Sequence, residues 1–250
     1  MKNQELYIRD DGIRLHIKIN FPQAERAKYP LVIFVHGFTG HMEEPHILGI
    51  NDTFLSCGYA TLRPEMYGHG QSEGLFEDHT LFKWISNILT VIDYAKSLDF
   101  VSDLYLCGHS QGGLLTVLAA GMCPQDLKAI IPLSPALMIP EEARRGTLLG
   151  ENYDPENIPE YLYSEDWRLH RDYIVTAQCL YVGPSIRRYP GPVLLIHGNA
   201  DASVPYEVSV DAAEKFRQCQ LCIIEGDDHC YDFHLDQVQD AVASFMTSLT

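Results

Sequence analysis

Short apolar runs and segments of helical period take turns along most of the chain. Residues 31–35 (Leu-Val-Ile-Phe-Val) are apolar at every position, which suits a strand covered on both faces. Runs at 59–63, 104–107, 129–133, 193–196 and 221–224 are of the same kind. Between them lie helix-period segments at 44–57, 81–98, 114–122, 207–217 and 233–249. The clearest is 81–98, with Leu81, Trp84, Ile85, Ile88, Leu89 and Ile92 on one face. This alternation predicts an α/β fold, a mainly parallel sheet with helices on both faces. Residues 5–10 and 13–20, joined by Asp10-Asp11-Gly12, predict a hairpin that adds an antiparallel edge, for eight strands in all.

One section breaks the rhythm. Residues 134–189 are rich in Pro and Glu and hold Tyr153, Tyr161, Tyr163, Trp167, Tyr173, Tyr181 and Tyr189, without a clear strand. A stretch this long between two sheet strands predicts an inserted lid rather than a loop. The expected organisation is a single domain, 1–250, with 134–189 as its inserted lid.

Composition removes several classes of function. Eighteen Lys and Arg against thirty-four Asp and Glu leave a formal charge of −16, which repels nucleic-acid backbones and anionic lipid. No apolar run approaches the ~20 residues of a membrane span. The first dozen residues lack the apolar core of a signal peptide. Seven cysteines, an odd number, then point to a reduced, cytoplasmic setting. Neither nucleic acid nor membrane is expected as a partner. Oligomeric state is not fixed by the sequence, and a homodimer is the working expectation.

Run 104–107 leads straight into Gly108-His109-Ser110-Gln111-Gly112-Gly113 and then into a helical segment. G-x-S-x-G between a strand and a helix is the context of a nucleophile elbow. The sharp turn forces the serine into a strained backbone conformation, and small neighbours avoid the clash. The helix start adds positive partial charge and free N–H groups beside the hydroxyl. Ser110 is the candidate nucleophile.

A serine hydroxyl needs a base within hydrogen-bond reach. Run 193–196 ends in His197-Gly198-Asn199-Ala200-Asp201, and run 221–224 ends in Glu225-Gly226-Asp227-Asp228-His229. Both endings fall past the C-terminal ends of strands, where parallel-sheet sites form. The order serine, acid, histidine is met by Ser110, Asp201 and His229, the acid orienting the ring and stabilising its charged form. Asp211 and His234 compete, but both fall within helical segments. Asp227 and Asp228 read as solvated loop acids, one of them able to cap. His109 and His197 read as packing or supporting residues.

Run 31–35 ends in His36-Gly37-Phe38, where a loop N–H is expected to face the nucleophile. Backbone N–H groups of Phe38 and Gln111 are therefore the candidate oxyanion hole. The segment from Tyr67 to Ser72 reads as a tight loop beside the site. Cys219 and Cys222 form a lone C-x-x-C with no partner pair for zinc, and read as buried thiols.

Together these motifs resemble the α/β-hydrolase superfamily, and nearly the whole chain resembles the bacterial cinnamoyl (feruloyl) esterases. That closer likeness includes Leu133-Ser134-Pro135-Ala136 and Asp154-Pro155-Glu156-Asn157-Ile158-Pro159. The resemblance implies an α/β-hydrolase fold and hydrolysis of ferulic, p-coumaric and caffeic esters. It gives no support for a cofactor or a metal. It implies a small lid over the acyl pocket, with Glu142 and Tyr173 meeting the ring hydroxyl. Trp167 has two readings, lining the slot or fastening the lid. The partner expected is a small-molecule aromatic ester. Two other readings stand beside it: a monoacylglycerol or short-chain lipid esterase, and a non-catalytic binding protein on the same fold.

Overall fold

The structure, a computed structural model, describes residues 2–163 and 167–249. In chain order its strands begin with β1 (Gln4–Asp10), β2 (Ile13–Asn20), β3 (Tyr29–Val35), β4 (Ala60–Pro64), β5 (Val101–His109) and β6 (Leu127–Leu133). Four two-residue strands follow: β7 (Thr147–Leu148), β8 (Glu151–Asn152), β9 (Tyr161–Leu162) and β10 (Leu169–His170). The last are β11 (Val193–Gly198) and β12 (Cys219–Ile224). The helices are α1 (Pro45–Ser56), α2 (Leu81–Lys96), α3 (Gln111–Met122), α4 (Ile139–Arg145), α5 (Asp172–Gln178), α6 (Val182–Arg188), α7 (Glu207–Ala213) and α8 (Leu235–Ser248).

Eight strands join in the order β1-β2-β4-β3-β5-β6-β11-β12. The pairs β1/β2 and β2/β4 are antiparallel, and every pair from β4/β3 onward is parallel. The apolar runs are strands because they serve two cores at once. In β3, Leu31, Ile33 and Val35 face one core while Val32 and Phe34 face the other. Leu104 and Leu106 against Tyr105 and Cys107 repeat the pattern in β5, as do Val193 and Leu195 against Leu194 and Ile196 in β11. Side chains from α1 and α8 close one core, and those from α2, α3 and the insert close the other. Full burial of one such aliphatic side chain contributes about 1.5–3 kcal/mol.

The predicted α/β-hydrolase sheet with eight strands is present. Two details differ. Segment 134–189, read as strandless, contains the small ladders β7/β8 and β9/β10. Two-residue strands are too short to show alternation in sequence. Its last helix, α6, lies tight against α3, where a Cβ added to Gly121 would stand 2.5 Å from Ser185 Cα. The helix expected over 207–217 stops at Ala213, where the Lys215 N–H turns to the Ala212 carbonyl (3.0 Å) in a tighter final turn. Among the described residues, no helix is long and apolar enough to cross a membrane.

Candidate active site

The turn from β5 into α3 is as cramped as its glycines require. Ser110 has φ 57° and ψ −118°, outside the ordinary regions for a side-chain-bearing residue. The strain is held on both sides. Ser110 N–H donates to the Leu133 carbonyl (2.9 Å), and its own carbonyl accepts from Leu114 and Ala136 (3.0 Å each). A Cβ on Gly108 would meet the Gly112 carbonyl oxygen at 2.3 Å, and one on Gly112 would meet the His36 carbonyl oxygen at 2.4 Å. Only glycine lets the ends of β3 and β5 and the start of α3 approach so closely.

Asp201 and His229 come together at the ends of β11 and β12. His229 Nδ1–H donates to Asp201 Oδ2 at 2.6 Å. This bond leaves Nε2 as the nitrogen free to accept a proton. The Asp201 side chain is fully buried. Burial alone pushes its carboxyl pKa up, but hydrogen bonds from His197 and His229 outweigh that and hold it well below the usual range. Its second oxygen accepts the Ser203 and Val204 N–H groups, both at 2.8 Å. The competing Asp211 is exposed on α7, and His234 stands just before α8, outside the cavity lining.

Asp227 is a correction. Read as a solvated loop acid, it is fully buried, and its Oδ1 accepts the N–H groups of Asp228 and Phe233 (3.1 Å each). Asp228 accepts from Cys230 and Asp232, also at 3.1 Å. Both acids brace the His229 loop through its backbone N–H groups, Asp227 from a buried position and Asp228 from a part-exposed one. Tyr231 supports the same loop. Its hydroxyl accepts from Ser134 Oγ (2.8 Å) and donates to the Ile196 carbonyl (3.2 Å).

The candidate oxyanion donors lie on this side of the sheet too. Gln111 is the first residue of α3, so its N–H has no acceptor within the helix. Phe38 follows a peptide whose orientation is set by His36. His36 Nδ1–H donates to the Gly37 carbonyl (2.8 Å), and Nε2 accepts the Met66 N–H (3.1 Å). The Gly37 carbonyl also accepts from Gly40. The Phe38 N–H, trans to that carbonyl across the same planar peptide, therefore points the opposite way. Burial of His36 drives its pKa down from 6.5 to about 3, so the ring is neutral and keeps this tautomer. The loop from Tyr67 to Ser72 lies beside the site as expected, with His69 Nε2 against the Phe38 carbonyl.

Ser110, His229, Phe38 and Glu142 line one cavity of about 600 Å³. A second surface cavity, of about 580 Å³ near Phe21 and Cys57, holds none of the residues picked out from the sequence. Burial raises the Glu142 carboxyl above its ordinary pKa, against an opposing hydrogen bond from the Leu149 backbone. Tyr173 is fully buried instead of lining the cavity, and its hydroxyl donates to Gln111 Oε1 at 2.6 Å. Trp167 is also outside the lining. It is half exposed and meets Phe76 edge-on at 6.2 Å. Sequence reasoning gave no role to His36 or Ser209; Met66, which fixes the His36 tautomer, and His197, which Ser209 meets, lie in other segments.

A family model described as serine aminopeptidase, S33, matches residues 27–163, and one described as TAP-like protein matches residues 183–250. The chain is an α/β-hydrolase. This α/β-hydrolase is similar to Est1E from Butyrivibrio proteoclasticus, solved with ferulic acid bound: 52% identity, 98% of each chain and a TM-score of 0.96. It is also similar to the bovine and human proteins named palmitoyl-protein thioesterase ABHD10, mitochondrial. Those are 28% identical over 218 and 215 residues, covering 82% and 80% of this chain. The matches cover 68% and 66% of those proteins, so this hydrolase spans about two thirds of their length. The mouse ABHD10 structure shares the hydrolase fold at 19% identity, with a TM-score of 0.79 over 99% of this chain.

Proposed function

We propose that this α/β-hydrolase is a serine carboxylester hydrolase that cleaves hydroxycinnamate esters through an acyl-enzyme. The observation that carries this reading is that His229, hydrogen-bonded from behind by the buried Asp201, lines the same cavity as the strained Ser110. A relative 52% identical over nearly the whole chain binds ferulic acid, the acid such a reaction would release.

In this mechanism Ser110 Oγ attacks the ester carbonyl as His229 Nε2 takes its proton. Asp201, an acceptor already ionised, stabilises the imidazolium that forms. Phe38 and Gln111 N–H groups hold the oxyanion, and removal of one such donor typically costs ~10²–10³ in kcat. The alcohol leaves with the proton from His229. Water then attacks the acyl carbon, giving its proton to the same nitrogen, and the acid departs as Ser110 recovers its hydrogen.

Segment 134–189 acts in this reading as the lid over the acyl group, with Glu142 the polar group for the ring hydroxyl. Tyr173 supports Gln111 from behind. The seven cysteines, all free thiols, support a reducing, cytoplasmic setting.

The test is hydrolysis of methyl ferulate against p-nitrophenyl butyrate by the wild type and by Ser110→Ala. Wild type should favour ferulate in kcat/KM, and the variant should lose turnover of both at unchanged Tm. Near-normal rates in Ser110→Ala would remove the mechanism. A strong preference for butyrate would remove the hydroxycinnamate substrate and leave a short-chain lipid esterase.

A further inference from the structure

Beside the His229 loop, three side chains from distant parts of the chain converge. His46 stands in the first turn of α1, His109 ends β5, and Cys230 follows His229. One ring nitrogen from each histidine and the Cys230 sulfur lie within 4.8 Å of one another. The two imidazoles pack at 4.3 Å between centroids, and each residue is only 3% exposed.

Both rings carry a nitrogen that nothing in the protein satisfies. His46 Nε2 and His109 Nδ1 are buried without a hydrogen-bond partner. For His109 the tautomer follows from its other nitrogen. Nε2–H donates to the His229 carbonyl at 2.7 Å, so Nδ1 carries a lone pair. A buried polar atom left unpaired costs about 1–3 kcal/mol, and a native structure usually offers it a partner.

The geometry points to a binding site for a borderline divalent cation, Zn²⁺ foremost, held by His46, His109 and Cys230 with a fourth position open to the active-site cavity. Two imidazoles and a thiolate are the donor set such ions prefer. An imidazole whose far N–H is fixed on a backbone carbonyl is already arranged as metal-ligating histidines are. The charged groups acting most strongly on Cys230 are the carboxylates of Glu44, Asp232, Asp228 and Asp201, a setting that attracts a cation. His109 and Cys230 both border the cavity, which gives the ion a way in and water a place as fourth ligand.

Tetrahedral zinc places its ligand atoms about 3.3–3.7 Å apart, so groups already within 4.8 Å of one another close by at most about 1.5 Å on binding. Cys230 is part-exposed and can turn to do this. The thiol proton leaves to solvent as the sulfur–metal bond forms, and no electron is transferred. His109 packs 4.7 Å from the His229 ring. Bound there, the ion and its fourth ligand occupy the part of the active-site cavity that His109 and Cys230 border beside Ser110 and His229, so the ion is a reversible inhibitor. That inhibitory role rests on the proposed esterase reading; the binding itself does not. The lone C-x-x-C of Cys219 and Cys222 takes no part, and none of the three ligands belongs to a sequence motif for metal.

Chelator-stripped protein titrated with Co²⁺ tests the site. One equivalent should bind with micromolar or tighter affinity and give a thiolate-to-cobalt charge-transfer band, which Zn²⁺ then removes. Cys230→Ser should abolish the band, and His46→Gln should weaken binding by at least about tenfold. Zn²⁺ should inhibit methyl ferulate hydrolysis by the wild type, with recovery on adding chelator. His46→Gln, with unchanged basal rate, should need about tenfold more Zn²⁺. Absence of stoichiometric binding below ~1 mM would overturn the proposal and leave an ordered water between the two nitrogens. A band that survives Cys230→Ser, or affinity and inhibition unaltered in His46→Gln, would overturn it equally. If ester hydrolysis is not observed at all, the cobalt spectrum still decides the site.

Discussion

His197 Nε2–H lies 3.1 Å from the same Asp201 oxygen that stands 2.6 Å from His229 Nδ1. His197 is itself fixed, because Ser209 Oγ donates to its Nδ1 at 2.7 Å and so leaves the proton on Nε2. With Ser203 and Val204 on the other oxygen, the Asp201 carboxylate has no freedom to rotate away from His229. His197→Leu removes a hydrogen bond to a charged group, worth about 1.5–3 kcal/mol. The expected result is a fall in kcat/KM of about 10–100-fold with KM little changed. Ser209→Ala should shift kcat/KM in the same direction by less. Full activity in His197→Leu would reduce His197 to packing.

His36 governs the oxyanion side in a comparable way. Its Nδ1–H holds the Gly37 carbonyl, and the Phe38 N–H is the other end of that peptide. His36→Ala frees the peptide to turn without deleting a donor. The expected fall in kcat is about 10–100-fold, below the ~10²–10³ of losing an oxyanion donor outright. His36→Asn, whose amide can donate to the same carbonyl, should recover part of the rate. Equal rates in all three proteins would detach His36 from the reaction.

The strands and the three separated site motifs were legible because each is a local pattern. Leu31 to Val35 shows its double burial in five consecutive residues, and Gly108 to Gly112 shows its tight turn in the same way. What supports the site was not legible, because its partners are far apart in the chain. Ser134 meets Tyr231 across 97 positions, and Tyr173 meets Gln111 across 62. No periodicity links such pairs. Asp227 was misread for a related reason: a polar loop residue looks solvated until the backbone N–H groups that surround it are known. The aromatic content of 134–189 signalled packing but not direction, so Tyr173 and Trp167 could not be sorted into inside and outside.

Glu142 gives a test of substrate polarity. It borders the cavity, and burial raises its carboxyl pKa, so it is well suited to exchange a hydrogen bond with a phenolic hydroxyl. Glu142→Ala should lower kcat/KM for methyl ferulate by about tenfold, the size of one such bond. Methyl 3,4-dimethoxycinnamate, which lacks the hydroxyl, should lose far less. Equal losses for both esters would separate Glu142 from ring recognition.

Buried imidazoles shape how the fold responds to acid: burial lowers the pKa of His36, His46, His69, His79 and His109, and His36 and His79 are among the most strongly shifted. His36 and His79 are fully buried, and burial drives each pKa from 6.5 to about 3. Both rings are therefore neutral in the folded chain between about pH 3 and 6.5, where they would be protonated when unfolded. Unfolding takes up their protons below pH 6.5, so their stabilising contribution is complete above that pH and shrinks as pH falls toward 3. The slope is about 1.4 kcal/mol per group for each pH unit. Asp201 acts lower down, since its depressed pKa gives a contribution that fades only below the usual 3.8. Thermal unfolding of Ser110→Ala should show Tm level between pH 8 and 7 and falling steadily from pH 6 to 4.5. In a His79→Gln background the fall should be shallower by one proton's worth. A Tm independent of pH between 7 and 5 would mean that these rings are protonated or solvated in the folded chain.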